Sequence, residues 1–214
     1  MPIGRRLAPV LMALLLAPLP AAGERHPLFY SAKPIAGTVV DADTGQPLEG
    51  VIVLAQWVLV GDARIQVAEV VTGAGGKYLI PGWGPKPRPP FAPLTGYGDP
   101  QIMLFKPSYA PLFLDNRVLD NFDSVRTSDW DGKTVQLQRF RGSAEEWVRQ
   151  LDLMQGELGV VGQFTHWQQH PRMLLAVFEE IRRLPEKLRG RVSTLGVFGT
   201  SEEELRAYVE REKK

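Results

Sequence analysis

The distribution of proline constrains the fold of this chain more than any other feature of the sequence. Of the 18 prolines in 214 residues, all but Pro171 and Pro185 lie before residue 112, and glycine thins out in the same way. Proline removes a backbone donor and breaks helices, whereas it is common in turns between short strands. The sequence therefore predicts a turn-rich β half over residues 34–140 and a helical half over residues 141–214.

The first 23 residues have the pattern of an export signal. Arg5 and Arg6 precede an apolar, leucine-rich run over residues 7–19, which is short for a membrane span and is followed by small residues ending at Gly23. We expect residues 1–23 to be a signal peptide cleaved near Gly23, with an uncleaved N-terminal anchor as the alternative. The protein is then exported, periplasmic or secreted, with no membrane span after cleavage.

Charge and cysteine content exclude several classes of protein. The chain has 25 basic and 24 acidic residues, and cleavage at Gly23 leaves 23 and 24, so it lacks the positive charge that nucleic-acid binding requires. It contains no cysteine. An exported chain of this kind has no disulfides, no thiol catalysis and no cysteine-linked lipid, and its stability must come from packing.

The β half consists of short apolar runs separated by turn residues. The predicted strands lie at residues 35–40, 51–60, 65–72, 77–80, 102–105 and 135–138. The long apolar run at 51–60 predicts a central strand covered on both faces. In the turn after the first strand, Asp41 is placed to bond nearby amides and Gly45 to adopt a positive φ. Residues 65–72 and 77–80 are predicted to pair as a hairpin across a glycine-rich loop.

Three segments of the β half carry the pattern of a known family. They are residues 35–51, Thr72–Gly82 with its Thr-x-x-x-Gly-x-Tyr-x-Ile-Pro spacing, and Lys106–Pro111, in which Ser108 stands where the family usually has glycine. This pattern resembles the carboxypeptidase regulatory-like domain. The resemblance implies a mainly β fold, a seven-stranded Greek-key transthyretin-like sandwich over residues 34–140, followed by a C-terminal α-helical extension. It also implies a non-catalytic binding or structural role.

Two histidines are the metal-ligating candidates. His166 and His170 have a spacing that on one helical face could hold zinc, with Glu179 as a distant acid. However, Trp167 stands where the metalloprotease motif has its general-base glutamate, and Pro171 predicts a helix that begins near His170. A zinc-binding protein or zinc-dependent hydrolase is therefore one alternative function, and a capping or surface role for the histidines is the other interpretation.

Other motifs do not meet the requirements of the chemistry they suggest. The stretch from Asp41 to Gly45 has glycine at the position of the third acidic calcium ligand, and the loop before Lys77 lacks the first glycine and the hydroxyl residue of a phosphate loop. No Gly-x-Ser-x-Gly motif occurs. The sequence predicts no catalytic residues and no cofactor.

The proline-rich stretch from Trp83 to Pro93 is the most distinctive surface feature. Its prolines favour an extended backbone, and Trp83, Phe91 and Tyr97 are candidates for an aromatic platform that binds a sugar or a peptide. The alternative is that these aromatics fold back and anchor a long loop to the sandwich. A carbohydrate-binding module is therefore a further alternative, and the partner is an unidentified protein or glycan.

The helical half has clear start signals. Ser143 with Glu146 forms a capping box, Pro171 starts a second amphipathic helix, and Ser201 caps a third. The helices either pack on the sandwich as one unit or form a separate small bundle. We predict an exported, non-enzymatic binding or structural/assembly module.

Overall fold

The structure is a computed structural model, and it describes residues 27–58, 64–88, 99–117, 123–158, 164–192 and 200–212. These residues form a mainly β domain followed by helices. The strands are β1 (Phe29–Ala32), β2 (Ile35–Asp41), β3 (Ile52–Val58), β4 (Arg64–Val71), β5 (Lys77–Ile80), β6 (Trp83–Pro87), β7 (Gln101–Phe105), β8 (Leu112–Leu114), β9 (Val125–Arg126) and β10 (Lys133–Leu137). The helices are α1 (Ala144–Leu158), a 3-10 helix (Phe164–Gln169), α2 (Pro171–Arg183), α3 (Glu186–Arg189) and α4 (Glu202–Glu212).

The strands form three sheets, two of which make a sandwich. Sheet 1 has the order β10-β2-β5, sheet 2 the order β4-β3-β7-β8, and sheet 3 the order β6-β1-β9. The core between sheets 1 and 2 is built from side chains of both. A β-sandwich with C-terminal helices is thus confirmed. The described residues hold ten strands instead of seven, and the Greek-key order stays a prediction.

The predicted central strand is confirmed, and the reason for its continuous hydrophobicity is visible. Every residue of β3 is buried, and β3 pairs antiparallel with both β4 and β7. Val53, Ala55 and Trp57 contribute to the core of the sandwich, whereas Ile52 and Leu54 belong to a second core beneath the helices. Both faces are apolar because both faces are covered.

The predicted hairpin between residues 65–72 and 77–80 is wrong. β4 pairs with β3 in sheet 2, whereas β5 pairs with β2 in sheet 1, so the glycine-rich loop carries the chain from one sheet to the other. Gly76 is needed at this corner, because its φ is +68° and a Cβ would lie 2.3 Å from the Val39 carbonyl oxygen. Turn residues indicate that the chain reverses, but not which strand it meets next.

Two segments predicted as loops contain strands. Trp83–Pro87 is strand β6, which pairs antiparallel with β1, itself outside the predicted strands. Proline is tolerated in β6 because β6 is an edge strand, where missing ladder donors face away from the sheet. The second segment is residues 112–132, where the sequence predicts no strand and the structure has β8 and β9. Within Trp83–Pro93, residues 89–93 lie outside the described residues.

The helices pack on the outer face of sheet 2. The capping box is confirmed, since the amide of Glu146 donates to Ser143 Oγ at 3.2 Å and the amide of Ser143 donates to Glu146 Oε2 at 2.7 Å. Side chains of α1, α2 and α4 share one buried cluster with β3 and β7, where Phe105 stacks on Trp147. Of the two arrangements left open by the sequence, the structure has the helices packed on the sandwich.

Strand β4 contacts two helix ends through the side chains of Arg64 and Glu69. Nη2 of Arg64 donates to the carbonyl oxygens of residues 157 and 158 at the end of α1. Oε2 and Oε1 of Glu69 accept from the amides of Arg172 and Met173 at the start of α2, at 3.0 and 2.7 Å. These positions match the helix dipoles, with a guanidinium group at a C-terminus and carboxyl oxygens at an N-terminus. None of the helices among the described residues is long and apolar enough to cross a bilayer.

Candidate functional site

Trp83 is the one member of the predicted aromatic platform that the structure describes. Its ring meets Trp57 edge to face, with centroids 5.5 Å apart, and it packs against the core of the sandwich. Lys86 lies over the same ring, 5.8 Å from the centroid. Phe91 and Tyr97 lie outside the described residues, so the platform stays a prediction, while the contacts of Trp83 itself are those of an anchoring residue.

The two histidines belong to different elements. His166 lies in the 3-10 helix, and its side chain is outside the described part, whereas His170 is the N-cap residue of α2 and is buried. Burial lowers the pKa of His170 to about 4, so the imidazole is neutral at physiological pH. Glu179 pairs with Arg206 at 3.0 Å. Within the described ranges, no three His, Cys, Asp or Glu side chains form a group that could hold a metal ion.

Asp41 has the structural role predicted for it. Its Oδ1 accepts from the amides of Asp43 and Thr44, and its Oδ2 accepts from the Tyr109 hydroxyl at 2.7 Å and from Nε of Arg139 at 3.2 Å. The hydrogen bond from Tyr109 foremost, together with those from the Thr44 and Asp43 amides, lowers the pKa of Asp41 to about 2. The carboxylate thereby fixes the turn and joins it to the end of the last strand.

A groove runs across the segment 138–143 that joins the sandwich to α1, and we call it the linker groove. It consists of two adjoining depressions, of about 300 and 380 Å³, which share Phe140 and Gly142. The first is lined by residues of α1 and α2 and by the turn at Ser108, and the second by residues 138–142, Ala110 and the exposed side of α1. Every lining residue belongs to the described part of the chain.

The first depression has an aromatic and apolar wall with one buried carboxylate. Phe140 lies against Trp147 with ring centroids 4.6 Å apart. Trp147 Nε1 donates to Glu180 Oε2 at 3.0 Å, and Arg183 donates to Glu180 Oε1 from the rim. These two hydrogen bonds hold the Glu180 carboxylate between α1 and the rim of the groove.

The second depression is lined by three arginines. Arg139 and Arg141 extend from the end of the sandwich, and Arg149 extends from α1. Their side chains are 54%, 71% and 67% exposed. The groove therefore combines an apolar half with a half that presents guanidinium groups.

Ser108 occupies a strained backbone position at the edge of the groove. Its φ is +72°, the left-handed region that favours glycine, and its carbonyl oxygen accepts from the amide of Phe140 at 3.0 Å. This is the residue that the sequence marks as replacing the usual glycine. Strained non-glycine residues cluster at functional sites. No site was predicted here from the sequence, and the serine in place of the family's usual glycine is the signal that could have found it.

Replacing Ser108 with glycine is expected to leave the free energy of unfolding unchanged or to raise it by up to about 1 kcal/mol, since glycine adopts this φ without strain. Urea denaturation of wild type, Ser108→Gly and Ser108→Ala measures the effect, and the alanine variant, which keeps the strain, serves as the control. A glycine variant that is no more stable than the alanine variant would show that the left-handed φ of residue 108 does not strain the chain.

The fold and the groove define a β-sandwich domain with a helical layer and an open surface site. No protein-family model matches the chain, and no curated protein matches its sequence. Among solved structures it is similar to 3-chlorocatechol 1,2-dioxygenase from Rhodococcus opacus 1CP, at 13% identity and a TM-score of 0.35 over 52% of this chain and 61% of that one.

Two further solved structures are similar over about half of the chain. The plantain pollen allergen Pla l 1 is 14% identical, with a TM-score of 0.30 over 54% of this chain and 97% of that one. A cohesin–X-dockerin complex from Acetivibrio cellulolyticus is 14% identical, with a TM-score of 0.29 over 56% and 71%. The chain covers 53–61% of the first dioxygenase structures. At these values the similarity says nothing about activity or ligands.

Proposed function

We propose that this protein is an exported, non-enzymatic binding or assembly module, built on a transthyretin-like Greek-key sandwich of the carboxypeptidase regulatory-like kind. The apolar leader before Gly23 supports export, and the three motif segments around residues 35–51, 72–82 and 106–111 support the family. The turn contacts of Asp41 and the left-handed φ of Ser108 agree with the conformations those motifs imply.

The observation that carries the binding role is the linker groove. It is open to solvent, it has an aromatic wall at Phe140, and it presents polar groups from two layers of the fold. Binding sites typically combine apolar surface with a few placed polar groups, and clefts between structural layers are common places for them. The module would hold a partner at this junction, with the sandwich and helices as a rigid frame.

Selection of peptides from a random displayed library tests this function. The probe is the processed chain recovered from the periplasm, with its N-terminus determined by mass spectrometry. We expect the selected peptides to lose binding to Ala144→Trp, because Ala144 lines the first depression and tryptophan would fill it. Glu145→Trp is the matched control, since Glu145 is the next residue of α1, is exposed, and does not line the groove.

The urea midpoints of both variants show whether the fold is intact, and Pro185→Trp fills the groove from its other wall if Ala144→Trp does not fold. Peptides that bind both groove-filling variants as well as wild type would place the binding site elsewhere. Failure to select any peptide, or turnover of a peptide or glycoside substrate by the purified protein, would contradict a non-enzymatic binding role.

A further inference from the structure

We infer that the linker groove binds an extended acidic peptide segment, with carboxylates on Arg139, Arg141 and Arg149 and an apolar side chain against Phe140. This inference rests on the proposed binding function and names the class of partner.

The arginines of the groove have N–H groups that make no hydrogen bond to the acids beside them. A guanidinium carries five N–H groups in a fixed fork that fits a carboxylate. Within the described residues, Arg139 donates through Nε to Asp41 and Arg141 through Nη2 to Asp43. The nearest Arg149 nitrogen is 3.8 Å from Glu146, beyond hydrogen-bonding distance. Most of these donors are therefore available to a ligand.

The acidic neighbours of the arginines are bonded to the fold, and Glu146, with 51% of its side chain exposed, also lines the second depression. The Asp41 side chain is 3% exposed and is held by the turn and by Tyr109, and the Asp43 side chain is 31% exposed. Glu146 accepts from the Ser143 amide in the capping box. The charges of these three acids cancel those of the three arginines. A ligand is therefore attracted by short-range hydrogen bonds to the exposed guanidinium groups and not by a long-range electrostatic field.

The other half of the groove distinguishes a peptide from an acidic polysaccharide. Next to the arginines, Phe140, Leu184 and Pro185 present apolar surface, and Ser108 presents a hydroxyl. A polypeptide supplies carboxylates, an apolar side chain and backbone amides within a few residues, whereas an acidic sugar chain has no apolar side chain for this surface. Both depressions are lined by Phe140 and Gly142, so an extended segment that contacts these two residues can reach both.

Fluorescence anisotropy with the processed full chain tests this inference. The probes are a labelled peptide with three glutamates followed by two leucines, its glutamine counterpart, and labelled trigalacturonate. We expect the acidic peptide to bind about tenfold more tightly than the glutamine peptide, the effect of one or two charge-assisted bonds. Arg141→Gln combined with Arg149→Gln should remove that difference, and Arg211→Gln, an exposed arginine of α4 outside the groove, should not.

The outcomes separate this inference from the proposed function. If the glutamate and glutamine peptides bind equally and both are lost in Ala144→Trp, the groove binds peptides without a requirement for acid, and the inference fails alone. If trigalacturonate binds with the same dependence on Arg141 and Arg149 and is insensitive to Ala144→Trp, the partner is an acidic glycan. If neither these probes nor any displayed peptide depends on the groove, both proposals fail.

Discussion

Replacing Arg126 with methionine is expected to lower the free energy of unfolding by about 3–5 kcal/mol, because the buried carboxylate of Asp99 would then lose its partner. The two side chains are 0% and 1% exposed. Nε of Arg126 donates to Asp99 Oδ2 at 2.9 Å, and Nη2 donates to Asp99 Oδ1. The pair joins β9 of sheet 3 to the residues just before β7 of sheet 2, so its loss uncouples two sheets.

Urea denaturation of three variants measures this effect. Arg126→Met alone should show the full loss, and adding Asp99→Leu should recover much of it, because a buried pair replaced on both sides leaves no unpaired charge. The control is Arg117→Met, which breaks the exposed Arg117–Asp129 pair and should change stability little. A loss from Arg126→Met no larger than the control would mean that solvent reaches Asp99.

Replacing Glu69 with alanine is expected to lower the free energy of unfolding by about 2–4 kcal/mol. The side chain is 3% exposed and accepts from two amides at the start of α2, so alanine would leave two partly buried donors unpaired, each costing about 1–3 kcal/mol when fully buried. Glu203→Ala, an exposed acid in the first turn of α4, is the matched control. Equal urea midpoints for the two variants would contradict the assigned contact.

The raised pKa of Glu69 predicts that the free energy of unfolding falls as the pH rises, which is the reverse of ordinary acid denaturation. Burial raises the pKa of Glu69 from 4.5 to about 7 in spite of the hydrogen bonds from Met173 and Arg172. The folded state therefore binds the proton more tightly than the unfolded state does. The contribution of Glu69 to stability is complete below pH 4.5 and declines as the pH rises through about 7. Glu69→Gln should remove this decline between pH 5 and pH 8.

Local signals in the sequence determined most of the secondary structure. The turn at Asp41, the capping box at Ser143 and the helix start at Pro171 each depend on side chains that bond or restrict backbone groups within a few residues. The uniformly apolar strand around Leu54 indicated cover on both faces without saying what covers it. Each of these signals involves residues that are close together in the chain, so the local sequence is enough to interpret it.

The tertiary structure alone decided which strands meet and where charges are buried. Glu69 and Met173 are 104 residues apart in sequence, and Asp99 and Arg126 are 27 apart, so nothing local marks them as partners. The same holds for β4 and β5, which the glycine-rich loop separates into different sheets, and for the linker groove. Contacts between distant residues depend on how entire faces of sheets and helices pack together. No single segment of the sequence contains enough information to predict that packing.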